Sequence, residues 1–388
     1  KCEMSDIMVP ANSEMIIETE NFSQISEIIY GDIDLAKIDF SRRTNASYRD
    51  TLHKFDCEVQ KVTIHIDEQD GFEFEKKFDR TPFVPKCNIL HDFEKIAALQ
   101  ENALLKRIKH VRAKSLVIGV SGGLDSTLAL LIAVRVYDNL GLSRKEIIAV
   151  TMPGLHTSKR TKKNALDMMN SLGVTVLDID INNHVKEHFA LIGHDGSTQD
   201  ITYENTQARA RTMILMNLVN KYHGLVLGTG DLSELVLGWC TYNGDQMSMY
   251  GINAGIPKTL VSFMIQNYAD YKFDDSVKDT LYSILDTPIT PELTSDQKTE
   301  DTIGKYEVND FIIHRVLRYG DHKERIVWLL PKVFDITSED ALHYASNFFR
   351  RFYSQQFKRQ ALPDGPKILD ISVSPRGDLR LPSDIDVS

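Results

Sequence analysis

The stretch SLVIGVSGGLDSTLALLIAVRVYDNLG, residues 115–141, decides the fold of this chain. It opens with a short apolar run, residues 115–120, of the length expected for a buried strand. Glycines and polar residues follow at 121–125, and an apolar helical stretch then runs to the glycine at 141, a residue type that commonly ends helices. This segment predicts a strand, a tight loop and a helix in direct succession.

The same alternation continues on both sides of this segment. An amphipathic helix is predicted before it, at 94–111. After it, strands are predicted at 147–152, 174–181 and 224–229, and helices at 162–173 and 205–222. Strands that alternate with helices pair in parallel and are covered by helices on both faces. We therefore predict an α/β fold, a doubly wound parallel sheet with flanking helices.

The composition restricts the class of protein. Hydrophobic residues make up 42% and charged residues 26% of the chain, which is typical of a folded globular protein. The net charge of −10 has the wrong sign for general binding to a nucleic-acid backbone. No apolar run reaches the ~20 residues of a membrane helix, and the cysteines form no CxxC pair, which fits a reducing compartment. The sequence predicts a soluble cytoplasmic protein that binds neither nucleic acid nor a membrane.

The loop after strand 115–120 has the composition of an anion-binding site. Gly122 and Gly123 let the backbone approach a ligand closely, and the free N–H groups at a helix start attract an anion. Asp125 would repel a phosphate unless a cation such as Mg²⁺ lies between them. The alternative is a glycine-rich turn whose Ser or Asp only caps the helix. The strand–loop–helix context favours phosphate binding, although the loop is not a Walker loop because no GK[ST] follows.

A second group of polar residues follows the predicted strand 224–229, in LGTGDLSELVLGWCTY at 227–242. Thr229 at the strand end can hydrogen-bond a ligand. Glu234 opens the next helix, where a carboxylate is electrostatically favourable and can bind a metal. Trp239 and Tyr242 offer flat surfaces for a ring. The alternative interpretation makes Glu234 a helix-start charge and Trp239 a core residue.

Several of these segments resemble known enzymes. SGGLDS at 121–126 resembles the pyrophosphate-binding loop of the ATP pyrophosphatase superfamily, which leaves NAD synthetase, GMP synthetase, asparagine synthetase and tRNA thiolation enzymes open. ENTQARAR at 204–211, GTGDLSELVLGWCTYNGDQMSMYGINAGIPKTL at 228–260 and residues 350–384 resemble glutamine-dependent bacterial NAD synthetases. In addition, GDIDLAKIDFSRRTNASYR at 31–49 resembles the end of the nitrilase-type glutaminase domain of those enzymes.

The resemblance implies an ATP-dependent ligase that forms a C–N bond, with the fold of the ATP pyrophosphatases and with Mg²⁺ as cofactor. Such an enzyme converts deamido-NAD to NAD through an acyl adenylate and releases AMP and pyrophosphate. The nitrogen is ammonia, which the full-length family takes from glutamine. The alternatives are another ATP pyrophosphatase that adenylates a nucleotide or tRNA, and a catalytically silent relative. The resemblance also implies a homo-oligomer, at least a dimer.

The family pattern implies roles for individual residues of this sequence. The residues that match ATP-binding positions are Gly119, Val120, Ser121, Gly122, Gly123, Leu124, Asp125, Ser126, Thr229, Lys258 and Thr290. Those that match deamido-NAD-binding positions are Asn205, Glu234, Trp239, Cys240, Thr241, Tyr242 and Lys358. Asp125 and Glu234 match the Mg²⁺ ligands, and Lys258 would stabilise the charge that builds up as pyrophosphate leaves. Neither a nucleophile nor a general base is assigned. Only one of Arg209 and Arg211 is expected to reach a ligand, because they lie two apart on a helix.

The first ninety residues differ from the rest. Short strand-like stretches at 14–19, 26–35 and 61–67 are divided by polar segments, which predicts β-structure. TPFVPK at 81–86 contains two prolines and indicates a linker. The predicted domains are a β-rich C-terminal remnant of a nitrilase-like α/β glutaminase domain at 1–80, a linker at 81–90 and a NAD synthetase domain at 91–388. Such a glutaminase uses a Glu-Lys-Cys triad, and Cys2 lies in a segment that does not match it. Either the chain is a fragment, or it uses free ammonia, or another chain supplies the ammonia. We expect the chain as given to use ammonium and not glutamine.

Overall fold

The structure is a computed structural model. Its described residues are 31–52, 54, 60–63, 65, 77–155, 157–287 and 302–385, together with the backbone of two short strands at 8–11 and 14–18. The chain divides into two compact units. One comprises residues 1–80 and 315–341, and the other comprises residues 81–314 and 342–388.

The first unit combines N-terminal elements with a later part of the chain. Its elements are strands β1 (Met8–Ala11) and β2 (Glu14–Glu18), helices α1 (Leu35–Thr44) and α2 (Ala46–Leu52), a π-helical turn at Arg315–Tyr319 and a helix at Lys323–Val333. Strands β1 and β2 pair in antiparallel orientation. Strand β2 lies within the predicted strand 14–19.

Asp34 joins the two parts of this unit. Its carboxylate caps α1 by accepting a hydrogen bond from the backbone N–H of Lys37 at 3.0 Å. The same carboxylate accepts hydrogen bonds from the guanidinium groups of Arg315 at 3.2 Å and Arg325 at 2.8 Å. Arg315 also donates to the buried Asp321 at 2.6 Å. These charge-assisted bonds connect residues 31–52 with residues 315–341.

The two helices differ from the β-rich expectation for this region. In the stretch 26–35, the described residues 31–34 contain no strand and lead directly into α1. Helix α1 forms because Asp34 is a favourable N-cap and because Arg42 and Arg43 occupy the last turn, where positive charge is favourable. The predicted strand at 61–67 lies mostly outside the described residues.

The second unit is built on a five-stranded parallel sheet. Its strands are β3 (Leu116–Gly119), β4 (Ile147–Thr151), β5 (Thr175–Asp178), β6 (Leu225–Gly228) and β7 (Tyr250–Gly251), in the spatial order β5-β4-β3-β6-β7. The predicted α/β fold with a parallel sheet is therefore confirmed. Strand β7 was not predicted, because its two residues are too few to form an apolar run.

Helices cover this sheet on both faces. Val117, Ile148, Val150 and Val226 form a core with two helices, α6 (Asn182–Ile192) and α7 (Ile201–Lys221), while the alternate strand residues point to the opposite face. Helix α4 (Leu124–Leu140) is buried along most of its length and packs against β3 and β4. The helices are α3 (Ile89–Val111), α4 (Leu124–Leu140), α5 (Lys159–Ser171), α6 (Asn182–Ile192), α7 (Ile201–Lys221), α8 (Leu232–Leu237), α9 (Lys258–Tyr271), α10 (Asp275–Leu285) and α11 (Tyr306–His314), followed by Ser338–Ser354 and Gln356–Gln360. Among the described residues, no helix is both long and apolar enough to span a bilayer.

The order of the strands reverses at β3. From β3 the chain continues to β4 and β5 on one side, and it then returns to β6 on the other side. Strands β3 and β6 are parallel neighbours, so the loops that follow them leave the sheet side by side. Ligands of doubly wound sheets bind at such a switch point, beyond the carboxyl ends of the strands.

Candidate functional site

The loop after β3 is held by its own serines. The Ser121 hydroxyl accepts a hydrogen bond from the N–H of Gly123 at 3.1 Å, and the Ser126 hydroxyl lies 3.2 Å from that of Ser121. Ser126 also donates to the carbonyl of Gly123 at 3.2 Å. Helix α4 begins after Gly123 without a side-chain cap. The N–H groups of its first turn are therefore available to an anion.

Gly122 is required at its position for two reasons. Its φ of +89° lies in the region that side-chain-bearing residues rarely adopt. A Cβ atom there would come within 2.4 Å of the carbonyl oxygen of Thr161, which lies in the first turn of α5. The loop conformation therefore depends on this glycine.

The loop after β6 leads into the short helix α8, which carries two acidic residues. Asp231 is the N-cap of α8 and accepts a hydrogen bond from the N–H of Glu234 at 2.8 Å. Glu234 lies in the first turn of the helix. Glu234 was identified from the sequence, whereas Asp231 was missed. The signal that could have found it is an acidic residue at an N-cap directly after a strand, three residues before the glutamate.

Lys258, the first residue of α9, joins these carboxylates. Its ammonium lies 2.6 Å from Asp125, 2.8 Å from Asp231 and 3.0 Å from Glu234. The same Nζ lies 5.1 Å from the centre of the Tyr306 ring, within the range of a cation–π interaction. The side chains of Lys258 and Asp231 are almost completely buried, whereas those of Asp125 and Glu234 are about one-fifth exposed, at 21% and 20%. We call Asp125, Asp231, Glu234 and Lys258 the carboxylate–lysine cluster.

The cluster has more acidic than basic groups. Burial raises the pKa of Glu234 to about 7, although Lys258 opposes this shift. Burial also raises the pKa of Asp231 well above its ordinary value, again against the influence of Lys258. Burial by itself would lower the pKa of Lys258, but the three carboxylates outweigh it and raise this pKa. One ammonium thus compensates three carboxylates only in part.

The three carboxylates fit a divalent cation. One oxygen from each of Asp125, Asp231 and Glu234 can be chosen so that all three lie within 4.8 Å of one another. The Oδ1 atom of Asp125 is buried and has no hydrogen-bond partner among the described residues. Carboxylate oxygens are the ligands that Mg²⁺ takes from proteins, usually together with phosphate oxygens and water. The geometry therefore suits a cation shared between the protein and a phosphate.

Asn253 connects the two loops of the site. Its side-chain amide donates to the backbone carbonyl of Asp125 at 2.9 Å and to that of Thr229 at 3.0 Å. Asn253 is fully buried, and Gln100 of α3 donates to its side-chain oxygen at 3.4 Å. Since one amide group holds both loops, Asp125 and Thr229 keep a fixed separation. Asn253 was not identified from the sequence.

The residues expected to bind deamido-NAD gather around the loop after α8. The Thr241 hydroxyl donates to the side-chain oxygen of Asn205 at 2.8 Å, and Lys358 donates to the carbonyl of Cys240 at 2.6 Å. Tyr242 is exposed, and its ring centre lies 5.5 Å from that of Phe357. Burial raises the pKa of the Cys240 thiol, which keeps it protonated. The structure thus brings five of the predicted residues together around the loop that follows α8.

Three basic residues of the C-terminal region bind the carboxyl end of α8. Arg351 donates to the carbonyl of Leu237 at 3.0 Å, and its guanidinium lies 5.0 Å from the centre of the Trp239 ring. Arg359 donates to the carbonyl of Val236 at 2.7 Å, and Lys358 to that of Gly238 at 2.9 Å. Positive charge is favourable at a helix C-terminus. Helix α8 is therefore held at both ends, by Asp231 and by these cations.

Arg209, Arg211 and Thr290 were also singled out in the sequence, and no contact among the described residues tests whether they reach a ligand. Arg209 and Arg211 contact different elements: Arg209 donates to the carbonyl of Tyr242 at 3.4 Å, and Arg211 to that of Met152 at 3.1 Å. Only Arg209 thus reaches the loop after α8 in these hydrogen bonds. Thr290 lies outside the described residues.

Comparison with known proteins assigns the family. The NAD synthase family model matches residues 96–345. The glutamine-dependent NAD(+) synthetase of Mycobacterium leprae (strain TN) is 38% identical over 416 residues, which cover 97% of this chain and 61% of that protein. The chain thus spans less than two thirds of the length of this relative.

Solved structures share the fold. A glutamine-dependent NAD(+) synthetase from Cytophaga hutchinsonii has a TM-score of 0.63 at 18% identity, covering 74% of this chain and 53% of that one. An NMN synthetase from Francisella tularensis has a TM-score of 0.54 at 23% identity, covering 68% of this chain and 95% of that one. The family match extends from α3 into the helix Ser338–Ser354 and includes both loops of the site. The resemblance seen in the sequence motifs is confirmed, and the chain belongs to the NAD synthase family.

Proposed function

We propose that this chain catalyses the ATP-dependent amidation of deamido-NAD to NAD, with Mg²⁺ as cofactor. The observation that carries the proposal is the carboxylate–lysine cluster at the ends of two neighbouring parallel strands. Asp125 belongs to a phosphate-type loop, Glu234 to the neighbouring helix, and the Lys258 ammonium lies within 3.0 Å of both carboxylates. Membership of the NAD synthase family supports the choice of substrate.

ATP would bind with its phosphates at the loop after β3. The first N–H groups of α4 and the Ser121 hydroxyl would donate to phosphate oxygens, and the Ser126 hydroxyl could do so by rotating away from the Gly123 carbonyl. Lys258 supplies a positive charge at the same edge of the sheet. Thr229 lies at the end of β6, and its backbone is fixed to that of Asp125 through Asn253.

Deamido-NAD would bind on the side of Glu234 and the loop after α8. Asn205 and Thr241 are hydrogen-bonded to each other and offer polar atoms to the substrate, while Trp239 and Tyr242 offer rings for stacking. A narrow pocket next to Glu234 is lined by Cys240, Gln246 and Ser248, among others. Within this pocket, the buried Ser248 hydroxyl and the Gln246 side-chain oxygen have no hydrogen-bond partner among the described residues, so they are suited to bind a polar ligand.

The first step forms the acyl adenylate. An oxygen of the nicotinate carboxylate attacks the α-phosphorus of ATP, a new P–O bond forms, and the bond to the β-phosphate bridging oxygen breaks. Negative charge increases on the departing pyrophosphate, where Lys258 and the N–H groups of α4 stabilise it. Asp125, Asp231 and Glu234 would hold Mg²⁺, which supplies charge neutralisation for phosphate oxygens when bound.

The second step transfers nitrogen. Ammonia attacks the acyl carbon with its lone pair, the bond between that carbon and the adenylate oxygen breaks, and AMP leaves. The amide nitrogen loses its extra proton to the solvent. The protein contributes mainly by holding both substrates in reacting geometry, because neither step requires a covalent enzyme intermediate.

The test is a product balance with the purified chain. With ATP, Mg²⁺, deamido-NAD and ammonium, NAD, AMP and pyrophosphate should form in equal amounts, and omission of any one substrate should abolish NAD formation. Nicotinate mononucleotide in place of deamido-NAD tests a smaller nucleotide acceptor. The proposed function would be refuted if AMP and pyrophosphate formed with the mononucleotide and not with deamido-NAD. It would also be refuted if neither acceptor gave turnover. A parallel reaction with glutamine as sole nitrogen donor tests the ammonium expectation.

A further inference from the structure

Helix α9 begins without a capping side chain of its own. Its N-cap is Pro257, which offers no side-chain acceptor, so the backbone N–H groups of Lys258 and Thr259 need acceptors from elsewhere. The structure supplies both from other elements. Ser233 of α8 accepts from the N–H of Lys258 at 2.9 Å, and Asp310 of α11 accepts from the N–H of Thr259 at 2.9 Å.

Asp310 is the centre of this arrangement. It is fully buried, and one carboxylate oxygen accepts the Ser233 hydroxyl at 2.5 Å. The other oxygen accepts both the N–H of Thr259 and its hydroxyl, the latter at 2.7 Å. Ser233 therefore donates to Asp310 while it accepts from Lys258. A single buried carboxylate thus connects helices α8, α9 and α11.

The residues that Asp310 holds are sequence neighbours of the carboxylate–lysine cluster. Ser233 lies between Asp231 and Glu234 on α8, and Thr259 follows Lys258 on α9. Helix α11 also provides Tyr306, whose ring lies 5.1 Å from the Lys258 ammonium. The negative charge of Asp310 at the N-terminus of α9 is favourable in itself. Its hydrogen bonds in addition fix the relative position of the helices that carry Lys258 and Glu234.

We propose that Asp310 is a positioning residue for the amidation reaction, acting through Ser233 and Thr259 to hold Lys258 against the carboxylates of Asp125, Asp231 and Glu234. The proposal rests on the proposed function, and it assigns to Asp310 no contact with a substrate. Side chains that act on a transition state must be held within about 0.5 Å of their productive positions. Displacement of a catalytic group by about 1 Å can lower the rate by about 10²-fold.

The first experiment compares Asp310→Asn with Asn309→Ala. Asn309 is the matched control, because it is the buried neighbour on α11 and its side-chain amide donates to the carbonyls of residues 303–305. Both variants are expected to lower thermal stability. Only Asp310→Asn should lower kcat, by about 10- to 100-fold, with KM for ATP changed by less than about threefold. Equal kcat values in the two variants, measured at a temperature where both are folded, would overturn the proposal.

A double-mutant cycle separates positioning through Ser233 from general damage. Ser233→Ala removes the hydroxyl that donates to Asp310, and Asp310→Asn leaves only one side-chain oxygen to accept from both Ser233 and Thr259. Because both variants disturb the same contact, the loss in log kcat of the double variant should be clearly smaller than the sum of the single losses. Full additivity would show that Asp310 does not act through Ser233. If Asp310→Asn does not fold, Ser233→Ala alone should still lower kcat by about tenfold, and an unchanged kcat would contradict the proposal.

A measurement without substrates keeps this proposal distinct from the proposed function. In protein labelled with ¹⁵N-lysine, the Nζ resonance of Lys258 is assigned by its loss in Lys258→Met. It should shift in Asp310→Asn and stay in place in Asn309→Ala. An unshifted resonance refutes positioning by Asp310 even if the wild-type chain forms NAD. If the resonance shifts in Asp310→Asn but the wild-type chain forms no NAD, the proposed function is refuted. The link from Asp310 to Lys258 is then still supported.

Discussion

Replacement of Lys258 by methionine tests the carboxylate–lysine cluster most directly. Methionine retains much of the length of the side chain and removes the charge. The ammonium has three carboxylate contacts between 2.6 and 3.0 Å. At an effective dielectric constant of ~20, one contact of ~2.8 Å corresponds to about 6 kcal/mol of attraction before desolvation is subtracted.

The net loss of stability is smaller than this gross attraction. Removal of one partner from a buried ion pair typically costs about 3–5 kcal/mol, because the remaining charge stays buried without compensation. Since burial already raises the pKa of Asp231 and Glu234, these groups can take up protons when the ammonium is gone, and this limits the loss. We expect Lys258→Met to lower the free energy of unfolding by about 3–5 kcal/mol in the absence of Mg²⁺.

Urea unfolding followed by circular dichroism measures this change, with Lys272→Met as control. Lys272 lies at the other end of α9 and pairs at 2.9 Å with Glu94, a half-exposed surface residue. Loss of such a surface pair costs less than about 1 kcal/mol. Added Mg²⁺ should restore part of the stability of Lys258→Met, about 2.7 kcal/mol at a Mg²⁺ concentration one hundred times its Kd. The gain in the free energy of unfolding should be larger for this variant than for the wild type. Equal losses in the two lysine variants, or no response to Mg²⁺, would refute this account of the cluster.

Three further predictions concern individual residues. Asp125→Asn and Asp231→Asn should each lower NAD formation by about 10²-fold or more. Asparagine is a good N-cap residue, so Asp231→Asn should leave the start of α8 intact. Near-normal turnover of either variant at limiting Mg²⁺ would exclude a metal role for that residue. Trp239→Ala should raise the Kd for deamido-NAD in calorimetry and leave that for ATP unchanged, whereas simple melting of the protein would favour the core interpretation. Gly122→Ala should weaken ATP binding and lower Tm, because of its φ of +89° and the contact with Thr161; unchanged ATP affinity would argue against this loop as the phosphate site.

Much of the fold follows from local patterns in the sequence. The apolar runs at 115–120 and 147–152 became β3 and β4 because a strand buried on both faces has to be apolar throughout. Strand β7 was missed because it is defined by its pairing with β6 and not by its own residues. Helix α1 was missed because its cap, Asp34, is supported by Arg315 and Arg325, almost three hundred positions later in the chain.

The candidate site shows the same division between local and distant information. Asp125 and Glu234 each follow a predicted strand closely, so their positions in the sequence are enough to indicate a site. Asp231 is explained in the sequence by its role as the N-cap of α8, so nothing in the sequence indicates its additional contact with Lys258. Asp310 lies within a buried helix, and its contact with Ser233 bridges 77 positions of sequence. No local sequence pattern can predict a hydrogen bond that forms only when three helices pack together.

The contacts that Arg351 and Arg359 make with the carboxyl end of α8 affect the order in which parts of the chain fold. Arg351 and Arg359 reach back across 114 and 123 residues to the carbonyls of Leu237 and Val236. During synthesis, α8 therefore leaves the ribosome long before the side chains that complete its end. Until they dock, this six-residue helix has unsatisfied carbonyls and is too short to persist by itself. A chain cut between residues 314 and 350 would retain every residue of the carboxylate–lysine cluster and lack the cations that bind the carboxyl end of α8.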